Sequence, residues 1–281
     1  MKAASREASH EFSDQCRHWR QRRKLSQLDL ALAANVSQRH LSWLETGRSK
    51  PSRGMVVRLS EALDMPLRER NLLLQAAGFA HLYAETTLEE PAMRVVNEAI
   101  RSILDHHDPM PALVVDRFWN IRMTNRGADV MLSITGDPEA LWQAVGDDGQ
   151  RNLARLTVHP AGLRQYIRNW EQAAPPFVHR LRREAQAAGD PELQAFVMEL
   201  VELAGAVEFP GDEPDYLTPV LPLEISAHGL DLSLFSVFSS FGTPQDVTVE
   251  ELRIEAFYPS DETTRQLFNS LVPLTGSELP V

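Results

Sequence analysis

The chain has 281 residues, 28 Lys and Arg against 39 Asp and Glu, and a formal net charge of −11. That length suits two domains with separate cores, and Cys16, the one cysteine, excludes an intramolecular disulfide. No apolar run approaches the ~20 residues of a membrane span, and the opening MKAASREASHEFSD lacks the apolar stretch of a secretory signal, so the expectation is a cytoplasmic protein. The charge is unevenly placed. Residues 1–75 carry 14 Lys and Arg against 8 Asp and Glu, whereas residues 76–281 carry 14 against 31. Such asymmetry points to a basic nucleic-acid module joined to an acidic domain with another task.

In chain order, residues 1–11 are polar and read as disordered. A first helix follows, with Phe12, Cys16 and Trp19 inward and Arg17, Arg20, Arg22, Arg23 and Lys24 making it basic. Cys16 there reads as a small buried hydrophobe rather than a redox sensor. Gln27–Ala33 is a second helix, with Leu28, Ala31 and Leu32 on one face, Ser26 as cap and Asp29 at its N-terminal turn. Asn35 breaks the pattern and Val36 plugs the turn. Ser37 caps a third helix, Gln38–Thr46, which turns Leu41 and Leu44 inward and Gln38, Arg39, Ser42 and Trp43 outward. Gly47 ends it. Two short helices and a turn are common, but a helix in the major groove reads bases with side chains near its N-terminus, Gln matching adenine and Arg matching guanine. Gln27, at the start of the preceding helix, suits a phosphate. Helices at Ser52–Leu63, burying Val56, Leu59 and Leu63, and at Leu67–Ala77, stopped by Gly78, complete an all-α five-helix domain over residues 12–77.

Arg20, Ser26-Gln27, Val36-Ser37, Leu44-Glu45-Thr46-Gly47-Arg48 and Pro51-Ser52 together make residues 12–77 resemble the Cro/C1-type (XRE) helix-turn-helix. That resemblance implies double-stranded DNA as partner, at a palindromic operator. Gln38, Arg39, Ser42 and Trp43 would face bases, and Gln27, Ser37, Arg48, Ser49 and Arg53 would approach phosphates. Glu45 would pair with Arg20. Trp43 stands where a polar residue is often used, so it either touches a thymine methyl or packs.

Residues 78–90, GFAHLYAETTLEE, have no clear period and read as a semi-rigid interdomain linker, with Phe79, Leu82 and Tyr83 available to dock. Pro91–His107 reads as a helix with Val96, Ile100, Ile103 and Leu104 inward. Strands at Ala112–Asp116 and Ile121–Thr124 flank a turn at Arg117–Asn120. Helical text runs from Asn125 to about Gly205, with breaks at Gly136, 146–149, His159-Pro160, Pro175-Pro176 and Gly189. An acidic loop, Glu208–Pro219, precedes three strands at Val220–Ala227, Leu230–Phe241 and Val249–Tyr258, the first pair joined by a His228-Gly229 turn. The expected fold is α+β, a five-stranded antiparallel sheet with a helical insert and helices on one face, in the strand order of a PAS-like domain. Such a sheet encloses a natural small-molecule cavity. Residues 269–281 read as a C-terminal tail.

PALVVDRFWN followed by Asn125, NLARLTVHPAGLRQYIRNW and FSSFGTPQDVTVEELRIEAFYP make this region, 91–268, resemble the ligand-binding domain of MmyB-type regulators. The resemblance implies a PAS-like domain that binds a small apolar or fatty-acid-like effector and dimerises. His159, Tyr166, Arg168, Trp170, Phe235, Phe238 and Arg122 are the candidate ligand contacts. His159 or Arg168 would hold a carboxylate, while the competing reading has His159-Pro160 capping a helix and Trp170 in the core. Strand alternation sets Phe235 and Val237 on one face and Phe238 on the other. Asp116, Asn120 and Asn125 read as turn hydrogen-bonding residues. His106-His107-Asp108 lacks companions at metal-ligand spacing, and no GxSxG, phosphate-cradling loop or HExxH occurs. The expectation is therefore a one-component regulator with no metal or cofactor. The rivals are an enzyme using His159 as acid/base and an adaptor or antitoxin using the acidic domain.

Overall fold

The computed structural model describes residues 2–146, 149–205 and 220–272, and the chain divides into two compact units. One comprises residues 1–86 with 243–250, the other 87–242 with 251–281. The acidic loop expected at 208–219 and most of the expected tail lie outside the described residues.

The first unit packs α1 (Lys2–Arg22), α2 (Gln27–Ala33), α3 (Gln38–Glu45), α4 (Arg53–Ala62) and α5 (Leu67–Ala76) around one core. Helix α1 starts at Lys2, so residues expected to be disordered are helical. Nothing between Lys2 and Arg22 is Gly or Pro, and good helix formers recur. Phe12, Cys16, Trp19, Leu41, Leu44, Val56, Leu59 and Leu63 are buried as their spacing predicts. Burial pushes the Cys16 thiol up to about 12, with the nearby Glu45 charge adding to the rise, so it behaves as a small hydrophobe.

Helix α2 departs from expectation. Its buried residues are Leu30 and Ala31, with Ala34 just beyond, while Leu28 and Leu32 are 51% and 72% exposed. A helix of seven residues admits either stripe at helical spacing, and the small Ala31 and Ala34 allow the close approach to its neighbours.

The linker text belongs to this unit as far as Thr86. Phe79 packs against its core, and the Asn71 side chain accepts from the Leu82 and Tyr83 amides and donates to the Tyr83 carbonyl. Residues 243–250 also belong here. Asp246 accepts from the Thr86 hydroxyl at 2.6 Å, and Glu250 accepts from the Leu67 amide at 2.7 Å. Helix α5 begins after Pro66, which offers no side-chain cap, so that carboxylate supplies the missing acceptor at a favourable helix end.

The second unit carries one antiparallel sheet in the order β2-β1-β5-β4-β3. Its strands are β1 (Ala112–Val115), β2 (Ile121–Thr124), β3 (Leu223–Ala227), β4 (Leu230–Ser239) and β5 (Arg253–Pro259). His228 and Gly229 take positive φ of 50° and 81°, the two-residue turn their text predicts. The third expected strand starts later than its sequence suggests, because Val247–Glu251 forms a short helix.

Between β2 and β3 lie α6's successors in the insert: α7 (Arg126–Ser133), α8 (Pro138–Ala144), α9 (Leu153–Val158), α10 (Trp170–Ala188) and α11 (Pro191–Ala204), with α6 itself (Arg94–His107) preceding β1. Insert residues pack on one sheet face. Ile100 and Leu104 of α6 pack with Ala112, Val114 and Ile254, so the opposite face is covered too and the expectation of helices on one face is corrected. Ile103, expected inward, is 46% exposed. The break expected at Pro175-Pro176 is absent, as α10 runs through both. The carbonyls that lose their partners belong to the exposed Glu171 and Gln172, where solvent can serve them.

Asn125 ties these layers together. Its Oδ1 accepts from Ala112 N–H at 2.8 Å and, as the cap of α7, from Ala128 N–H at 2.9 Å. Its Nδ2 donates to the Leu104 and Met110 carbonyls. Asn125→Ala is expected to lower unfolding stability by on the order of 3 kcal/mol, because several buried groups lose partners together. A urea midpoint unchanged from the parent contradicts that.

Candidate functional site

The first candidate site is the outer face of α3. Ser37 caps it by accepting the His40 amide at 3.2 Å, and the Ser26–Asp29 capping box fixes the start of α2. Asn35 and Gly47 take positive φ of 53° and 69° at the two ends of the α3 hairpin, so chain reversal and helix stop are both set locally. Gln38, Arg39 and Trp43 are exposed and Ser42 is half-buried. The Arg39 guanidinium lies 4.6 Å from the Trp43 ring centroid, which aligns the two longest side chains of this face. Arg48, Ser49 and Arg53 follow, Arg53 exposed at the first position of α4, and the Arg48 and Ser49 amides both bond the Trp43 carbonyl.

Beneath this face sits Glu45, 1% exposed. Its carboxylate takes two bonds from Arg20, at 2.6 and 2.9 Å, and one from the Gln27 amide at 2.8 Å. The Arg20–Glu45 pair is thus the one the sequence resemblance implies. Gln27, a phosphate candidate, has its side chain engaged here. The basic run of α1 is also largely structural: Arg17 bonds the Glu45 carbonyl, Arg23 the Leu63 carbonyl, and Arg22 and Arg23 flank Trp19.

The second candidate site is a cavity of about 280 Å³ between the sheet and the insert, walled mainly by apolar side chains that include Trp119, Leu163, Trp170, Phe177, Leu234 and Phe238. Trp119 holds φ +66° in the β1–β2 turn, an unusual conformation for so bulky a residue. Asp116 imposes it by accepting the Phe118 and Asn120 amides at 2.9 Å. The indole then stands edge-on to Phe177 and Phe238.

Among the described residues, two ionisable side chains reach the cavity, Arg180 and Glu255. Arg180 lies over Phe238, 3.3 Å from the ring centroid, and donates to Glu184 at 2.8 Å. Glu184 also bonds Arg253. Glu255 is 6% exposed, flanked across the sheet by Leu113 and Phe238. Burial pushes its carboxyl up to about 7, against the Ser236 hydrogen bond and the Arg180 charge, which favour ionisation. In a further cleft, lined in part by Phe118, Asn120, Asn152 and Arg155, Arg155 pairs with Glu199 and Asn152 with Asn120.

Of the sequence-predicted ligand contacts, Trp170, Phe235 and Phe238 line the cavity. Leu232, Leu234, Ser236 and Phe238 share the inward side of β4, while Val237 is exposed and Phe235 stacks on Tyr258 at 5.6 Å. His159, Tyr166, Arg168 and Arg122 are not in its lining. His159 Nδ1 accepts the Ala161 amide, as a capping residue would, Arg168 lies 3.7 Å from Asp231, and Arg122 bonds Asp116. Trp119, Arg180, Ser236 and Glu255 were not singled out from sequence. A signal existed for Glu255, since in RIEAFYP it shares strand parity with the buried Phe257.

A helix above a buried carboxylate clasp and a hollow PAS-like sheet define a transcription regulator with separate DNA-binding and ligand-binding domains. The helix-turn-helix domain family matches residues 11–73, and the MmyB-like transcription regulator ligand-binding domain matches residues 96–271. The second match spans more than half of the chain, which therefore belongs to the MmyB-like transcription regulators. No curated protein matches it. Among the described residues, no helix is long and apolar enough to cross a membrane.

The raised Glu255 carboxyl has a consequence for stability. The unfolded chain releases this proton near the ordinary value of 4.5, whereas the folded chain keeps it to about 7. Its contribution is therefore complete below about 4.5 and lost as pH rises through about 7. Glu255→Gln is expected to gain on the parent by on the order of 2 kcal/mol between about pH 5 and pH 8. Parallel urea midpoints for the two proteins across that range contradict it.

Proposed function

We propose that the chain is a one-component transcription regulator, not an enzyme, acting in the cytoplasm as a homodimer on a palindromic operator. Gln38, Arg39, Ser42 and Trp43 read bases. Ser37, Arg48, Ser49 and Arg53 contact phosphates, with the α2 terminus at Gln27 beside the backbone. The observation that carries this reading is the contrast within α3. Leu41, Leu44 and Glu45 are sealed in the core, while Gln38, Arg39 and Trp43 are exposed on the other side. A two-fold dimer would set two such helices about one turn of B-DNA apart, roughly 34 Å.

The cavity of the second domain holds a small effector with an apolar body. Its indole and phenyl walls suit an alkyl chain or ring, which supports a fatty-acid-like tail. Such an effector shifts the DNA-bound equilibrium only by its differential affinity for the two states.

Arg39→Ala should reduce discrimination at one operator position by about 1–3 kcal/mol in gel-shift titrations with a selected site and its single-base variants. Arg53→Ala should weaken all sequences about equally and flatten the salt dependence by roughly one phosphate contact. Unchanged base preference in the Arg39 variant contradicts the assigned reading face.

A further inference from the structure

The polar end of the cavity carries more information than its walls. Glu255 sits on the cavity-facing parity of β5, and its Oε2 meets no hydrogen-bond partner among the described residues. A buried carboxyl oxygen without a protein partner is costly, and a structure retains one where a ligand, an ordered water or a catalytic step meets it. Its cross-strand neighbours, Leu113 and Phe238, are apolar and offer this oxygen no partner. Ser236 already hydrogen-bonds the carboxyl from β4.

The charges around it bear on whether Glu255 is ionised, and the open Oε2 then decides what kind of group is wanted. Arg180 and Glu184 on α10 and Arg253 on β5 form a linked set, with Glu184 accepting from both arginines. Arg180 is also spread over the Phe238 ring. The set holds two cations and one anion, so an ionised Glu255 brings the four to balance. An ionised carboxylate then has lone pairs left to satisfy, and only a hydrogen-bond donor can do so. A ligand carboxylate would instead place two acids side by side, forcing one of them to keep a proton.

We infer that the effector is an apolar amine, its ammonium donating to Glu255 Oε2 while Trp119, Trp170 and Phe177 enclose the apolar body. This rests on the proposed role of the cavity as the effector site. The chemistry also sets a pH dependence of defined sign. An alkylammonium stays charged well past neutrality, so its affinity rises as Glu255 ionises around pH 7. A carboxylate ligand has the opposite slope, since it needs Glu255 protonated.

The test uses the full-length protein and three probes of one chain length: octylamine, octanol and octanoate, titrated calorimetrically. At about pH 8, octylamine is expected to bind about tenfold more tightly than octanoate, as a charge-assisted bond to a buried carboxylate allows. Glu255→Gln should remove that advantage, while octanol binding that persists, even if weakened, shows that the cavity survives the substitution. In the unmodified protein, octylamine affinity should increase between about pH 6 and pH 8 while octanoate affinity decreases. If octanol and octanoate bind and octylamine does so no better, or if the Glu255 variant keeps the amine preference, the amine inference fails and the effector cavity stands. If none of the three binds, the effector reading and the inference fall together.

Discussion

The arrangement on which the helix-turn-helix unit depends is the buried carboxylate of Glu45. One residue on α3 receives Arg20 from α1 and Gln27 from α2, so three helices are fixed by a single anion. An anion buried to this degree is stable only when its lone pairs are filled, and here both oxygens are used. The clasp sets the rotation of α3 about its own axis. Leu41 and Leu44 must then face the core, and the face half a turn away must meet solvent. The same logic assigns the arginines of α1, several of which hold the unit together instead of extending its basic surface.

The second domain solves a different problem. One face of its sheet is closed by α6 with side chains such as Ile100, Val114 and Ile254. The other is covered by the insert but left hollow near β4 and β5. Hollowness in a protein interior is normally expensive, and here the walls are held off one another by positioned residues. Trp119 is locked upright by the Asp116 turn, and Arg180 is stretched across Phe238 by its bond to Glu184. The cavity is thus built into the fold by the same side chains that would meet a ligand.

Much of this was legible in the sequence where a residue can do its work locally. Ser26, Ser37, Gly47 and the His228-Gly229 turn all act within a few residues of themselves, and each sits where its text places it. The succession of strands was legible from their own text, and the Arg20–Glu45 pair through family resemblance. What failed were choices that local spacing leaves degenerate. Leu28 and Leu32 against Leu30 and Ala34 is one, because two turns of helix carry both stripes. The helix through Pro175-Pro176 is another, where tertiary packing outweighs two missing hydrogen bonds. At the cavity, the chemistry of His159 and Arg168 suggests ligand contacts, yet their partners are a nearby amide and Asp231. Glu255 is not legible as a site residue, because charge on a strand reads as a solvent face and only the sheet order makes β5 central.

The central claim is that the outer face of α3 enters a DNA groove. Its most direct measurement is affinity cleavage from position 38. Cys16 is the chain's one cysteine and is fully buried, so Gln38→Cys gives a single accessible thiol for an iron chelate. On an operator enriched from random duplexes, the account predicts strand cuts clustered within the major groove of each half-site. Retained operator binding with no cleavage there, or with cuts spread evenly along the duplex, would contradict it.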